Sequence, residues 1–213
     1  IPTKGPDGYR SWLSLDEEEK AAIFAALIER TDPVTWKRVY GEAYTLPKFP
    51  LGSGIRDAKE YSTTLNSCGR YDDAETGMRL CKGDLSALKD AEQKRKDHRK
   101  NISAAMAYVK EHHLLRERRY VQFFDSGDSI RDTVVGIVAG MMVSASGVRQ
   151  DLPMLAFADT DDGTKVSARL SHQLSERGVN MSVVMKTAAE KVGGYGGGHS
   201  VAAGATIPPD QKE

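Results

Sequence analysis

GGYGGGHSVAAGATIP, residues 193–208, places five glycines, a tyrosine and a histidine in its first seven positions. It follows NMSVVMKTAAEKV (180–192), in which Met181, Val184, Met185, Ala188 and Val192 share one helical face and Asn180 suits the N-cap. Gly193 comes directly after the last periodic residue, where a left-handed C-cap is required, and that explains one glycine. Gly196, Gly197 and Gly198 remain. Residues without Cβ let successive backbone N–H groups turn toward a common concavity and let a ligand approach the main chain. His199 adds a donor for a phosphate or a ring for stacking. On composition alone, a flexible turn with a surface histidine accounts for these residues equally well.

Working outward, HSVAAGATI (199–207), KVSARL (165–170), MLAFAD (154–159) and YVQFFD (120–125) are short, apolar or alternating runs bounded by Gly, Asp or Pro, and they read as strands. Between them lies DTVVGIVAGMMVSAS (132–146), apolar enough to be a buried helix. Strands interspersed with helices give an α/β fold: a C-terminal mixed-sheet domain flanked by helices, residues 118–213. LSALKDAEQKRKDHRKNISAAMAYVKEHHLL (85–115) contains no Gly or Pro and predicts a long connector helix over residues 85–117. Its C-terminal half carries an apolar stripe at Ile102, Ala105, Met106 and Val109, whereas residues 92–101 read as polar on every side, the pattern of a bridge between domains. From Lys89 to Arg119 ten Lys or Arg face five acids, which suits either a solvated connector face or a phosphate-facing surface.

Residues 1–84 read as mostly helical. Residues 1–13 are loop-like, Ser14 with Glu17 forms a capping-box signature, and Leu15, Ala22, Ile23, Ala26 and Leu27 line a helix ending near Arg30. LPKFPLGSG (46–54) interrupts regular structure, and IRDAKEYSTTLNSCGR (55–70) predicts a helix closed by Gly69.

The formal charge is zero, so no global field attracts nucleic acid and any such site must be local. No apolar run reaches membrane-spanning length and the opening residues lack a signal-peptide pattern, which leaves a cytoplasmic protein with no membrane partner as the expectation. The chain starts with Ile, from which a fragment of a longer protein is expected. Cys68 and Cys81 read as ordinary thiols. Strand alternation puts Lys165, Ser167 and Arg169 on one sheet face, where an arginine fork and a serine hydroxyl can cradle a phosphate; an ordinary exposed strand face is the competing reading. Asn66-Ser-Cys-Gly69-Arg70 is a further candidate, with a capped helix end as its plain alternative. The five histidines fall in no metal-ligand pattern. Asp72-Asp73 and Asp159-Asp161-Asp162 lie in expected turns with no histidine beside them, and neither a nucleophile elbow nor a Walker loop occurs.

Three stretches, taken in order, resemble the DHH phosphoesterases, and among them the RecJ-like single-strand nucleases of archaeal type. LNSCGR (65–70) is similar to a block near the end of the family's catalytic lobe. VVGIVAGMM (134–142) is similar to the helix that opens its DHH-associated domain, and GGYGGGHSVAAGATIP to that domain's Gly-Gly-Gly-His signature. The resemblance covers about residues 55–208. It implies an N-terminal lobe with an Asp-His-His motif and Mn2+ or Mg2+, and a C-terminal lobe that grips nucleic acid. No Asp-His-His occurs here, since Asp97 and His98 are followed by Arg99. The implied protein is therefore the nucleic-acid-binding portion of a single-strand exonuclease, with no cofactor of its own and inactive alone. Carried over, Arg70 contacts backbone phosphate, Ser167 and Arg169 hold another, and Gly196 to His199 line the path of single-stranded DNA or RNA. Lys165 and Tyr195 join them on charge and stacking. The resemblance also leaves a dinucleotide phosphodiesterase domain open, and a non-catalytic scaffold whose partner is the GINS replication complex, contacted through residues 1–54.

Overall fold

The computed structural model describes residues 4–5, 8–10, 12–39 and 41–212, and the chain divides into two compact units, residues 1–61 and 62–213. In the first unit, two-residue strands β1 (Lys4–Gly5) and β2 (Gly8–Tyr9) pair antiparallel ahead of a 3-10 turn at Trp12–Ser14. Helix α1 runs over Glu17–Arg30 and α2 over Pro33–Val39. The capping box sits two residues beyond the expected Ser14–Glu17 pair, because Ser14 is taken up by the 3-10 turn. Asp16 accepts from the Glu19 N–H at 2.8 Å, and the Glu19 carboxylate accepts from the Asp16 N–H at 3.2 Å. The break expected over residues 46–54 is present as a turn, and within it Phe49 packs on Tyr61 with ring centroids 5.1 Å apart.

Helix α3 (Ala58–Arg70) is followed by α4 (Ala74–Cys81) and the long α5 (Leu88–Glu111). Gly69 does not close α3 but lies inside its last turn. Asp72 supplies the left-handed residue instead, at φ 59°, and the Asp73 N–H returns to the Cys68 carbonyl at 3.0 Å. Nor is α5 polar on every side over residues 92–101. Ala91 and His98 are buried on the same stripe as Ala105 and Val109, at heptad-like spacing, and the helix packs on α4 and α6 within its own unit.

The second unit is built on six strands in the order β3-β4-β5-β6-β8-β7. They are β3 (Arg116–Glu117), β4 (Gln122–Asp125), β5 (Met154–Thr160), β6 (Gly163–Arg169), β7 (Tyr195–Gly198) and β8 (Ala202–Ile207). The sheet is mixed. Strands β4 and β5 are parallel, joined through helix α6 (Asp132–Val143), and the other neighbours are antiparallel. Helix α7 (His172–Glu176) and α8 (Met181–Lys191) complete the unit; the Asn180 side chain caps α8 by accepting from Ser182 N–H at 3.0 Å.

Two apolar layers flank the sheet. On one face Phe124, Met154, Ala156 and Ala158 pack with Val134, Val135 and Val138 of α6 and with Ala105 and Val109 of α5. On the other, Val166, Ala168, Ala203, Ala205 and Ile207 pack with Met181, Met185 and Ala189 of α8. Helix α8 ends on Gly193 at φ 78°, with the Gly194 N–H returning to the Ala189 carbonyl at 2.8 Å, as the position after Val192 demanded.

The glycines after it form not a loop but an edge strand, β7. Its N–H groups therefore alternate in direction rather than converge, and the glycines divide by face. A Cβ on Gly196 would lie 2.7 Å from the Met185 carbonyl oxygen of α8 and 3.0 Å from that of Gly204, and one on Gly198 would lie 2.7 Å from the Ala203 Cα. Gly197, on the opposite face, would place its Cβ in open space. Gly196→Ala is expected to cost roughly 1–3 kcal/mol of stability by overpacking α8, whereas Gly197→Ala leaves the denaturation midpoint nearly unchanged. Urea titrations of the two variants check this, and equal effects would contradict the division by face.

Candidate nucleic-acid interface

Register fixes which side chains share the α6 face of the sheet. Phe124 pairs with Ala156, Ala156 with Ser167, Ser167 with Gly204, and Gly204 with Gly197, in one row across five strands. The row on one side runs from Ala158 through Lys165 and Thr206 to Tyr195; the row on the other runs from Met154 through Arg169 to Ala202. Residues paired in register point to the same face. Lys165, Ser167, Arg169, Tyr195 and Gly197 therefore belong to one surface. Helix α6 lies over β5 and β6, while Gly204 and Gly197 leave half-buried bare backbone beside Ser167 on the β8–β7 half.

Arg169 lies along α6. A Cβ on Gly136 would come within 2.7 Å of its Nη2 and 2.9 Å of Ser167 Oγ, and one on Gly140 within 3.7 Å of its Nε. Two glycines four residues apart in an otherwise apolar helix thus form the seat of the guanidinium. The Arg169 Nη1 donates to the carbonyls of Ala168 at 2.8 Å and Ala203 at 3.4 Å, and among the described residues no carboxylate pairs with it. Burial, and then the positive charge of Arg70, push its pKa down from the usual guanidinium value. Ser167 is buried, and among the described residues its hydroxyl has no hydrogen-bond partner.

Arg70, at the end of α3, donates to the Thr133 carbonyl in the first turn of α6, and Thr133 Oγ1 returns a hydrogen bond to the Arg70 carbonyl at 3.1 Å. These reciprocal bonds fix the end of α3 against the start of α6. Below them, Tyr71 Oη lies 3.2 Å from His98 Nδ1 and accepts from Asn101 Nδ2 at 3.2 Å. Two arginines with positive charges close enough to interact, an unpartnered hydroxyl and a strip of open backbone make a surface suited to phosphate oxygens.

The structure brings Arg70, Ser167, Arg169 and Gly197 to this surface. Lys165 shares it but is held by Asp132 at 3.3 Å. Tyr195 is exposed at its edge, and the exposed His199 stands where β7 turns into β8, its N–H donating to the Ala202 carbonyl at 2.9 Å. Gly196 and Gly198 face α8 and β8 packing rather than the open surface. Gly136, Gly140, Gly204 and Thr133 escaped the sequence reading. The two helix glycines carried a signal, because each costs about 1 kcal/mol relative to alanine within a helix and so requires a packing reason. Among the described residues no group of three or more His, Cys, Asp or Glu comes together to hold a metal ion. Asp159 is instead tied to Lys212 at 2.6 Å and to Thr164 Oγ1 at 3.0 Å. No helix among the described residues is long and apolar enough to cross a membrane.

Residues 117–213 match the DHHA1 domain family. Over 197 residues the chain is 28% identical to an uncharacterized protein of Methanocaldococcus jannaschii, covering 92% of this chain and 40% of that protein. It thus spans less than half the length of this curated relative. Among solved structures it is similar to RecJ of Thermus thermophilus in complex with Mg2+, with a TM-score of 0.55 and 18% identity over 72% of this chain and 23% of that one. It is also similar to an exonuclease RecJ bound to manganese, with a TM-score of 0.54 and 16% identity over 77% of this chain and 40% of that one. These likenesses establish a shared fold.

His98 reports on the seat beneath Arg70. Burial, and then the charge of Arg70, lower its pKa below the ordinary histidine value, so the ring is neutral in the folded protein near pH 7. In the unfolded chain it binds a proton near pH 6.5. Between those two values the unfolded state holds more protons, and stability therefore falls as pH falls below about 6.5. Denaturation midpoints from pH 7.5 to 5.0 should drop more steeply for the natural chain than for His98→Gln, and parallel profiles would count against this.

Proposed function

We propose that this chain supplies the nucleic-acid grip of a RecJ-like, DHH-family single-strand exonuclease, holding the sugar-phosphate backbone of single-stranded DNA or RNA. The observation that carries the reading is that one helix, α6, seats two arginines without carboxylate partners among the described residues, Arg70 on the Thr133 carbonyl and Arg169 at Gly136 and Gly140, beside the Ser167 hydroxyl. Phosphates of the strand lie at Arg70 and at Ser167–Arg169, and the backbone passes over Gly197 and Gly204 toward His199. Tyr195 offers a ring at the exit, and Lys165 adds charge at the margin. Because these contacts are to phosphate, to bare backbone and through stacking that every base offers, this grip is indifferent to sequence. Hydrolysis, with Mn2+ or Mg2+, belongs to residues outside this chain.

Arg169→Ala should weaken binding of a fluorescent single-stranded oligonucleotide at low salt by about ten- to a hundredfold, as expected for loss of a charge-assisted hydrogen bond of about 1.5–3 kcal/mol. The slope of log affinity against log salt should shrink by about 0.7 for one lost phosphate contact. Fluorescence anisotropy over a salt series measures both, and unchanged affinity with an unchanged slope would sink the assignment.

A second reading concerns the first unit alone. None of the residues of α1 is buried, although Ile23 and Leu27 lie on its apolar stripe, and with Trp12, Phe24, Val39 and Ala43 they line an open cavity of about 370 Å³. This apolar surface favours a protein contact as a further role of residues 12–43, with the GINS replication complex as the candidate partner. Co-purification with GINS should survive Arg169→Ala and be lost with Leu27→Asp; the reverse pattern would remove this role.

A further inference from the structure

A second cavity, of about 360 Å³, lies away from the open sheet face, between α5 and the start of α6, with Tyr71, Asn101, Tyr108, Ser129, Arg131 and Val134 in its lining. Its size falls within the range of small-ligand sites, and it combines an apolar floor with a few polar groups at the rim. Arg131 lies over the Tyr71 ring at 5.4 Å, and Tyr108 Oη donates to Ser129 Oγ at 3.0 Å, so the walls are planar and held in place.

Asn101 spends one N–H on Tyr71 Oη and retains its second N–H and its carbonyl oxygen, a donor–acceptor pair of the kind that matches the edge of a base. Arg131 is paired with Asp72 at 2.7 Å, an exposed pair that weakens its attraction for a second anion, and its guanidinium lies along the Tyr71 ring. The cavity therefore suits an uncharged planar ring over a phosphate. Its position agrees, because Tyr71 follows Arg70 directly and Arg70 is bonded to Thr133, two residues beyond Arg131.

We propose that this cavity is a nucleobase subsite, taking the base of a nucleotide whose phosphate lies at Arg70. Asn101 reads the base edge, and the rings of Tyr71 and Tyr108 with the Arg131 guanidinium provide the flat walls. The proposal rests on the nucleic-acid reading above and adds to a sequence-indifferent grip one position that senses the base.

The test uses the whole chain and two labelled strands of equal length, an oligoadenylate and a strand of abasic tetrahydrofuran nucleotides, with binding read by fluorescence anisotropy. Asn101 is exposed, so its replacement leaves the core intact. Asn101→Leu should weaken the oligoadenylate roughly tenfold, the discrimination carried by one two-point base contact, and leave the abasic strand within about twofold. Asn101→Asp, which keeps the size and removes the amide donors, should act in the same direction. Arg169→Ala should weaken both strands alike. If Asn101→Leu leaves the oligoadenylate unchanged, or weakens both strands equally, the base subsite is wrong while the phosphate grip stands. If the natural chain binds neither strand, or Arg169→Ala affects neither, the nucleic-acid reading itself fails and takes the subsite with it.

Discussion

The placement of Arg169 is the constraint on which the rest of this surface depends. A guanidinium laid against an apolar helix, bonded only to main-chain carbonyls and within the field of a second arginine, costs the folded state free energy. Its pKa is pushed down for that reason, by burial first and by Arg70 second. A carboxylate would relieve both effects, yet among the described residues none bonds to Arg169, and the acids held around the start of α6 are bonded to other cations, Asp132 to Lys165 and Asp72 to Arg131. Positive potential is thus concentrated at one end of α6 in a chain whose formal charge is zero. On the reading proposed above, a phosphate would supply the countercharge the protein withholds, and a chain of zero formal charge would hold an anion without a basic surface.

The glycines follow from the same arrangement. Gly136 and Gly140 exist so that Arg169 and Ser167 can reach α6, and Gly196 and Gly198 so that β7 can lie against α8 and β8. Only Gly197, which meets nothing within 4 Å, and its register partner Gly204 leave main chain bare on the Arg169 face. A segment that looks uniform in sequence therefore does two jobs set by strand alternation: one face packs a helix and the other opens a shallow shelf.

Much of this was legible in the residues. The strands at 120–125, 154–159, 165–170 and 199–207, the helices at 132 and 180, and the shared face of Lys165, Ser167 and Arg169 all follow from periodicity, because packing on both sides of a sheet imposes it. What failed had a common physical cause. Glycine propensity argues for a loop, but β7 is held by pairing with β8 and by α8, tertiary contacts that override local preference. The stripe through Ala91 and His98 was hidden by the charged residues between them, since a histidine counts as polar until its partner is known, and that partner, Tyr71, is 27 residues away. The capping shifts at Asp16 and Asp72 are of the same kind, decided by turns that propensity does not resolve.

Tyr71 and Arg70 show how one helix end can serve two surfaces. Arg70 is the last residue of α3 and Tyr71 opens the turn that leads to the left-handed Asp72, so neighbours in sequence point to different surroundings. Arg70 is turned to Thr133 and into the field of Arg169, while Tyr71 is turned to His98, Asn101 and Arg131. The bonds between Arg70 and Thr133 clamp α3 to α6, so a shift of either helix would move the arginine-bearing and the ring-lined surfaces together. Such a joint costs little to build, because it uses main-chain carbonyls already exposed at helix ends, and it keeps the two surfaces at a fixed spacing. A nucleotide's phosphate and base are likewise fixed to one sugar, and a rigid joint between the two surfaces is what recognition of both at once requires.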